Sequence, residues 1–175
     1  MDFPYKRIVI TGCGGAGKST LALAMGERFG LPVVHLDTLW WLPGWVHRTR
    51  EEFDRMLTAE LSKSAWIMDG DFSRTLPLRL QYADFCIYLD IDPDICLESV
   101  YARWEQYLGR TRPDMTEGCE EYVDPKFDQW VRDYHENIRP GMLQTIEESG
   151  VPYRVFTTRE GAYDWLGFDK EENHE

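Results

Sequence analysis

Gly12-Cys13-Gly14-Gly15-Ala16-Gly17-Lys18-Ser19 matches the phosphate-binding pattern G-x-x-x-x-G-K-[ST] (Walker A) at every specified position. Such a loop works only between a buried strand and the start of a helix, so it fixes the architecture around it. Both flanks comply: Ile8-Val9-Ile10 leads in as a short apolar strand, and Leu21, Ala22, Met25 and Phe29 follow at helical spacing. The glycines let backbone N–H groups converge on a polyphosphate, and the helix aims its positive dipole end at the same anion. Gly12, Gly14, Gly15, Ala16, Gly17, Lys18, Ser19 and Thr20 are the candidate nucleotide-binding residues. Lys18 would reach the β and γ phosphates, and the Ser19 hydroxyl would ligate Mg²⁺. The chain is expected to bind ATP.

At 175 residues the chain has the length of one domain, large enough to bury roughly 70% of its unfolded surface. Its 31 acidic and 19 basic residues give a net charge of −12. That field repels nucleic acid and anionic membrane, and it argues against direct DNA contact. Cys13, Cys86, Cys96 and Cys119 are scattered, with no CxxC and no histidine at metal spacing, as expected of reduced thiols in a cytoplasmic protein. No signal peptide is visible at the N-terminus, and no apolar run approaches membrane-spanning length.

Strand and helix patterns alternate, which predicts a parallel sheet covered on both faces. Val33 to Leu36 reads as the second strand, ending at Asp37, with an aromatic loop from Leu39 to Trp45 after it. Thr49 and Glu52 form a capping box ahead of a helix that buries Phe53, Leu57 and Leu61. Ala65 to Met68 is the third strand, closed by Asp69-Gly70, and Phe85 to Leu89 is the fourth. Asp92 and Pro93 start a long helix that Gly109 ends. Residues 110–121 have no period and read as a mobile loop. A further helix buries Phe127, Trp130, Val131, Tyr134 and Ile138 until Pro140 breaks it. Tyr153 to Phe156 is the fifth strand, and a short helix with Ala162, Trp165 and Leu166 ends the pattern.

This arrangement resembles the P-loop nucleotide-kinase group, which includes adenylate, nucleoside-monophosphate and shikimate kinases. The likeness rests on the phosphate loop, the Asp closing strand two, the Asp-Gly closing strand three and an arginine-bearing lid. A closer resemblance is to the bacterial DNA topology modulation proteins, the FlaR-like group. It lies in the runs from His35 to Trp45 and Trp66 to Ser73, with Asp71 where an Asn is expected, and in Gly109-Arg110-Thr111-Arg112-Pro113-Asp114-Met115 with Glu117-Gly118-Cys119. The resemblance implies a three-layer α/β P-loop NTPase fold of nucleotide-kinase type with a five-stranded parallel sheet. It also implies one domain over residues 1–168, with an acceptor-side insertion at 37–64, a lid at 109–121 and an acidic tail at 169–175.

Within that frame, Asp37 stands at the carboxyl edge of strand two, where ligands bind in open α/β sheets, and would accept the proton of an attacking hydroxyl. Asp69 closes strand three, the expected place for a carboxylate that holds Mg²⁺ with Ser19, and Asp90 at the end of strand four competes for that role. Arg110, Arg112 and Arg139 are candidate clamps on the migrating phosphoryl group, and Arg103 is evenly balanced between clamp and surface charge. Arg74 would face an anionic acceptor. Trp40, Trp41 and Trp45 would wall the acceptor pocket, with burial over Phe53 the competing account. Trp66, Trp104, Trp130 and Trp165, like His35, read as core.

These residues describe an ATP-dependent phosphotransferase acting on a small-molecule acceptor, either a nucleoside monophosphate or a hydroxylated metabolite. The alternative is a regulatory ATPase of the topology modulation type acting through a protein partner. A GTPase, the second rival, is discounted because the chain has no Asn-Lys-x-Asp guanine-reading motif. Nothing in the sequence specifies an oligomeric state.

Overall fold

A computed structural model describes residues 3–168; the tail expected at 169–175 lies outside the described residues. β1 (Arg7–Gly12) leads through the phosphate loop into α1 (Lys18–Phe29), and β2 (Val33–His35) runs directly into a short α2 (Leu36–Trp40). A hairpin of β3 (Trp41–Leu42) and β4 (Val46–His47) precedes α3 (Arg50–Leu61) and β5 (Trp66–Asp69). After a 3-10 turn at Ser73–Thr75 come α4 (Leu76–Tyr82), β6 (Phe85–Leu89), α5 (Pro93–Tyr107), α6 (Pro125–Asn137), α7 (Arg139–Glu148), β7 (Tyr153–Phe156) and α8 (Arg159–Leu166).

The main sheet is five-stranded and wholly parallel, in the order β2-β5-β1-β6-β7. Strand alternation divides the core into two layers. Ile8, Ile10, Ile67, Phe85 and Ile87 face one side with Leu21, Met25, Val100 and Leu166. Val9, Trp66, Met68, Cys86 and Tyr88 face the other with Phe53, Leu57, Leu80 and Ile146. This is the three-layer α/β architecture expected from the strand–helix alternation. Successive strands depart from β1 in opposite directions, so its carboxyl end is the switch point where such sheets open a ligand crevice. The phosphate loop sits there.

Local signals act where the sequence places them. The Thr49–Glu52 capping box forms, with reciprocal bonds of 3.1 and 3.2 Å. Asp92 caps α5 ahead of Pro93, and the kink before Pro140 falls at Ile138, between α6 and α7. All four cysteines are free thiols and buried.

Three local readings are corrected. Strand two stops at His35, and Asp37 lies in the first turn of α2, because Thr38 Oγ1 donates to the His35 carbonyl (2.7 Å) and turns the chain. The aromatic stretch after it is helix and hairpin, turned at Gly44 (φ +80°) and Trp45 (φ +59°). Residues 110–121 are docked, pinned at their base by bridges between Leu108 and Glu121 and between Thr111 and Glu120. Neither docked segment has a period-two or 3.6 pattern, because backbone bonds between two loops hold it.

Arg79 is fully buried in α4 and donates to the carbonyls of Gly70 (3.2 Å), Asp71 (2.5 Å) and Phe72 (3.0 Å). Burial pushes its pKa down to about 10, still above neutrality, so it stays charged and holds the loop after β5. Arg79→Met strips three buried carbonyls of a charged donor. We expect a loss of at least about 3 kcal/mol, read as a lower urea midpoint in equilibrium unfolding. A change under about 1 kcal/mol would contradict the anchoring role.

Candidate active site

The phosphate loop is fastened from behind. Arg159, the first residue of α8, donates to the carbonyls of Ala16 (3.1 Å) and Gly15 (2.7 Å) and to Ser99 Oγ (2.7 Å). Lys18 Nζ donates to the Cys13 carbonyl (2.7 Å). Gly15 has φ +81°, and a Cβ there would lie 2.3 Å from the Cys96 carbonyl of α5, so only glycine permits this approach. Loop carbonyls thus have donors, whereas the amides of Gly14, Gly15 and Gly17 meet no acceptor among the described residues. Unpaired convergent amides ahead of a helix N-terminus are an anion cradle.

Beside the cradle, Ser19 Oγ donates to Asp69 Oδ1 (3.1 Å), and His35 Nδ1 pairs with Asp69 Oδ2. Burial opposes protonation of His35, but the bond and charge of Asp69, with Asp114 and Asp37 beyond, raise its pKa overall. A hydroxyl and a carboxylate suit Mg²⁺, which prefers oxygen ligands and takes most of them from phosphates and water. No cluster of three or more potential His, Cys, Asp or Glu metal ligands occurs among the described residues.

Asp37 faces the same space, and its carboxylate has no hydrogen-bond partner among the described residues. Burial raises its pKa; Arg112 and Lys18 pull it down, and Asp69 and Asp114 push it further up. Arg112 pairs with Glu121 (2.8 Å) and Asp114 (3.5 Å), and Arg103 with Glu121 (3.6 Å). The Nε atoms of both arginines are buried against the Glu121 carboxylate, which holds the two guanidiniums at the cavity wall. Burial also lowers the Arg103 pKa. Asp71 receives the Tyr134 hydroxyl (2.7 Å), and burial raises its carboxyl.

The β3–β4 hairpin and the 109–121 segment clasp each other over this space. Gly44 N–H donates to the Gly118 carbonyl (3.0 Å), Thr116 Oγ1 to Trp41 O (2.7 Å) and Trp45 Nε1 to Glu120 O (2.7 Å). The Cys119 thiol reaches Leu42 O (3.1 Å). Trp40 stacks on His47 (4.6 Å) and meets Phe53 edge-on, while Trp41 and Trp45 pack edge to face (5.2 Å). The tryptophans therefore both cover α3 and wall the opening.

All this lines one cavity of about 1330 Å³. Gly14, Gly15, Gly17, Lys18, Ser19, Thr20, Asp37, Asp69 and Arg112 line it, as do Trp40, Trp41, Trp45 and Arg74. Gly12 and Ala16 lie behind the loop and do not. Two expected clamps also fall outside. Arg110 folds back onto the Gln106 carbonyl and the Tyr107 ring. Arg139 opens α7 after the kink and forks onto Asp90 with two 2.7 Å bonds, which also removes Asp90 as a free metal carboxylate. Arg74 lines the cavity but is forked onto Asp54 (2.7 and 3.1 Å). Arg159, His35, Asp71, Asp114 and Glu121 have no site role in the sequence reading. The visible signals were His35 two residues before Asp37 and Thr158-Arg159 as a helix start following the last strand.

No protein-family profile matches this chain. Over 134 residues it is 31% identical to the uncharacterized protein YqaC of Bacillus subtilis (strain 168), spanning 74% of this chain and 72% of that protein. The chain belongs to the family of YqaC. Among solved structures it is similar to shikimate kinase from Bacteroides thetaiotaomicron, with 18% identity and a TM-score of 0.58 over 94% of this chain and 99% of that one. It is also similar to shikimate kinase from Acinetobacter baumannii in complex with shikimate, with 17% identity and a TM-score of 0.59 over 98% of this chain and 97% of that one. The fold is that of the P-loop kinases.

Gly118 has φ +88°, and a Cβ there would lie 2.9 Å from Pro43 Cβ. Gly118→Ala therefore forces the clasp apart. In hydrogen exchange, we expect the wild-type amide of Gly44, bonded across the clasp to the Gly118 carbonyl, to be protected without ligand and to lose at least about tenfold of that protection in the variant. Equal exchange in both proteins would mean that hairpin and lid move independently.

Proposed function

We propose that this member of the YqaC family is an ATP- and Mg²⁺-dependent kinase that moves the γ-phosphoryl group to a hydroxyl of a small acceptor. The observation that carries the reading is the continuous cavity of about 1330 Å³ from the amide cradle to the tryptophan wall, with Asp37 between them. A single drug-sized ligand needs about 300–1,000 Å³, so this space suits two substrates. Hydrolysis alone would need no walled recess beyond the phosphates.

In this reading the amides of Gly14, Gly15 and Gly17 and the Lys18 ammonium hold the triphosphate. Ser19 and Asp69 would hold Mg²⁺, which supplies charge neutralisation on the phosphates. Asp37 accepts the acceptor's hydroxyl proton as its oxygen bonds to the γ-phosphorus. The bond from that phosphorus to the bridging oxygen breaks, its electron pair leaves with ADP, and the other product is the acceptor's phosphate ester. The guanidiniums of Arg103 and Arg112, which line the cavity, meet the migrating oxygens. Arg110 and Arg139 serve structure instead. The net charge of −12 fits a small-molecule acceptor better than nucleic acid, and buried free thiols fit a cytoplasmic setting. The resemblance to the FlaR-like group concerns a cellular effect and is compatible with this chemistry.

Asp37→Asn tests the assignment. Label transfer from ATP to the acceptor fraction should fall about 10²- to 10⁴-fold with ATP affinity nearly unchanged. A base acts when ionised, so the wild-type rate should rise with pH through the Asp37 pKa. Burial sets that limb above the ordinary carboxylate value of about 3.9, and the variant should lose it. The same raised pKa favours the protonated folded state, so its stabilising effect is present at low pH and lost as pH rises through the folded value. Asn at 37 removes that penalty, and the ligand-free variant should melt higher than wild type at pH 7. Weakened ATP binding with normal transfer would move Asp37 to the metal shell.

A further inference from the structure

We infer that the acceptor is an uncharged molecule joining a flat ring to a hydroxyl group, of the nucleoside class, and not a monophosphate or carboxylate. The inference rests on the kinase reading above and concerns only the acceptor half of the cavity. Asp37, Asp71, Asp114 and Glu121 line that half, with Arg112 buried and Arg103 half-buried beside them and Arg50 and Arg74 exposed. The two inner guanidiniums are already engaged by those carboxylates, Arg112 by Glu121 and Asp114 and Arg103 by Glu121.

The one arginine placed to greet an acceptor's anion is already bound. Arg74 gives one nitrogen to each oxygen of Asp54, the geometry in which a guanidinium would otherwise grip a phosphate. Arg79 is turned away to backbone carbonyls. Arg50 stands exposed at the mouth, where water screens it. A dianionic acceptor would thus lie beside Asp37 and Asp71 and could gain a desolvated cation only by displacing Glu121 or Asp114 from Arg103 or Arg112.

What remains suits a neutral ligand. Trp41 and Trp45 offer ring faces and edges, whereas Trp40 has one face covered by His47. Asp37 has both oxygens free to accept from a hydroxyl. Asp71 spends Oδ1 on Tyr134, and Oδ2 has no partner among the described residues. Two acceptor-only groups set against an aromatic wall recognise donors on an uncharged ring compound, and they reject an anion by leaving it unpaired.

The test is a tryptophan-fluorescence titration of the full chain with AMP-PNP and Mg²⁺ present. Adenosine, guanosine, cytidine and uridine are each compared with their own 5′-monophosphates. At least one nucleoside should bind about tenfold or more tightly than its monophosphate. Asp54→Ala, which frees Arg74 at an exposed position, should strengthen the monophosphate about tenfold and leave the nucleoside unchanged. Monophosphates binding as tightly as nucleosides to wild type, or no nucleoside binding below about 10 mM, would overturn the inference. AMP-PNP binding separates the two claims. If it binds and neither series does, the acceptor class alone is wrong; if it does not bind, the kinase reading falls.

Discussion

The site depends on a division of labour within the phosphate loop: its carbonyls are satisfied from behind so that its amides stay unpaired in front. Arg159 and Lys18 supply donors to the carbonyls of Cys13, Gly15 and Ala16, and the α5 backbone at Cys96 presses against Gly15. A loop whose amides found protein partners would be more stable alone and useless to a polyphosphate. Held by those donors and by the α5 backbone, the amides keep their convergent geometry. The loop therefore binds β1, α1, α5 and α8 into one frame.

The acceptor side follows a different logic. Its walls come from two segments about seventy residues apart, the hairpin and 109–121, joined by backbone and side-chain bonds. Joined in this way, the tryptophans and Arg112 have fixed positions relative to each other.

Legibility in the sequence tracked the range of the interaction. The phosphate loop, the Thr49–Glu52 box, Asp92-Pro93 and the Pro140 kink are local chemistry, and each appears where the residues put it. The five parallel strands could be read because strand and helix patterns alternate. Arg139 and Arg74 looked like free cations, yet Asp90 and Asp54, 49 and 20 residues away, claim them. The docking of 109–121 and the Tyr134 bond to Asp71 join distant residues without a periodic trace. His35 reads as core because its strand position is apolar in pattern, while the structure sets its ring against Asp69, 34 residues away.

The fate of the γ-phosphoryl group tests the central claim most directly. With γ-labelled ATP, Mg²⁺ and a pool of uncharged hydroxylated small molecules, the account predicts label in an organic phosphate ester, appearing only when the pool is present. Label released solely as inorganic phosphate, at a rate the pool does not change, would contradict it.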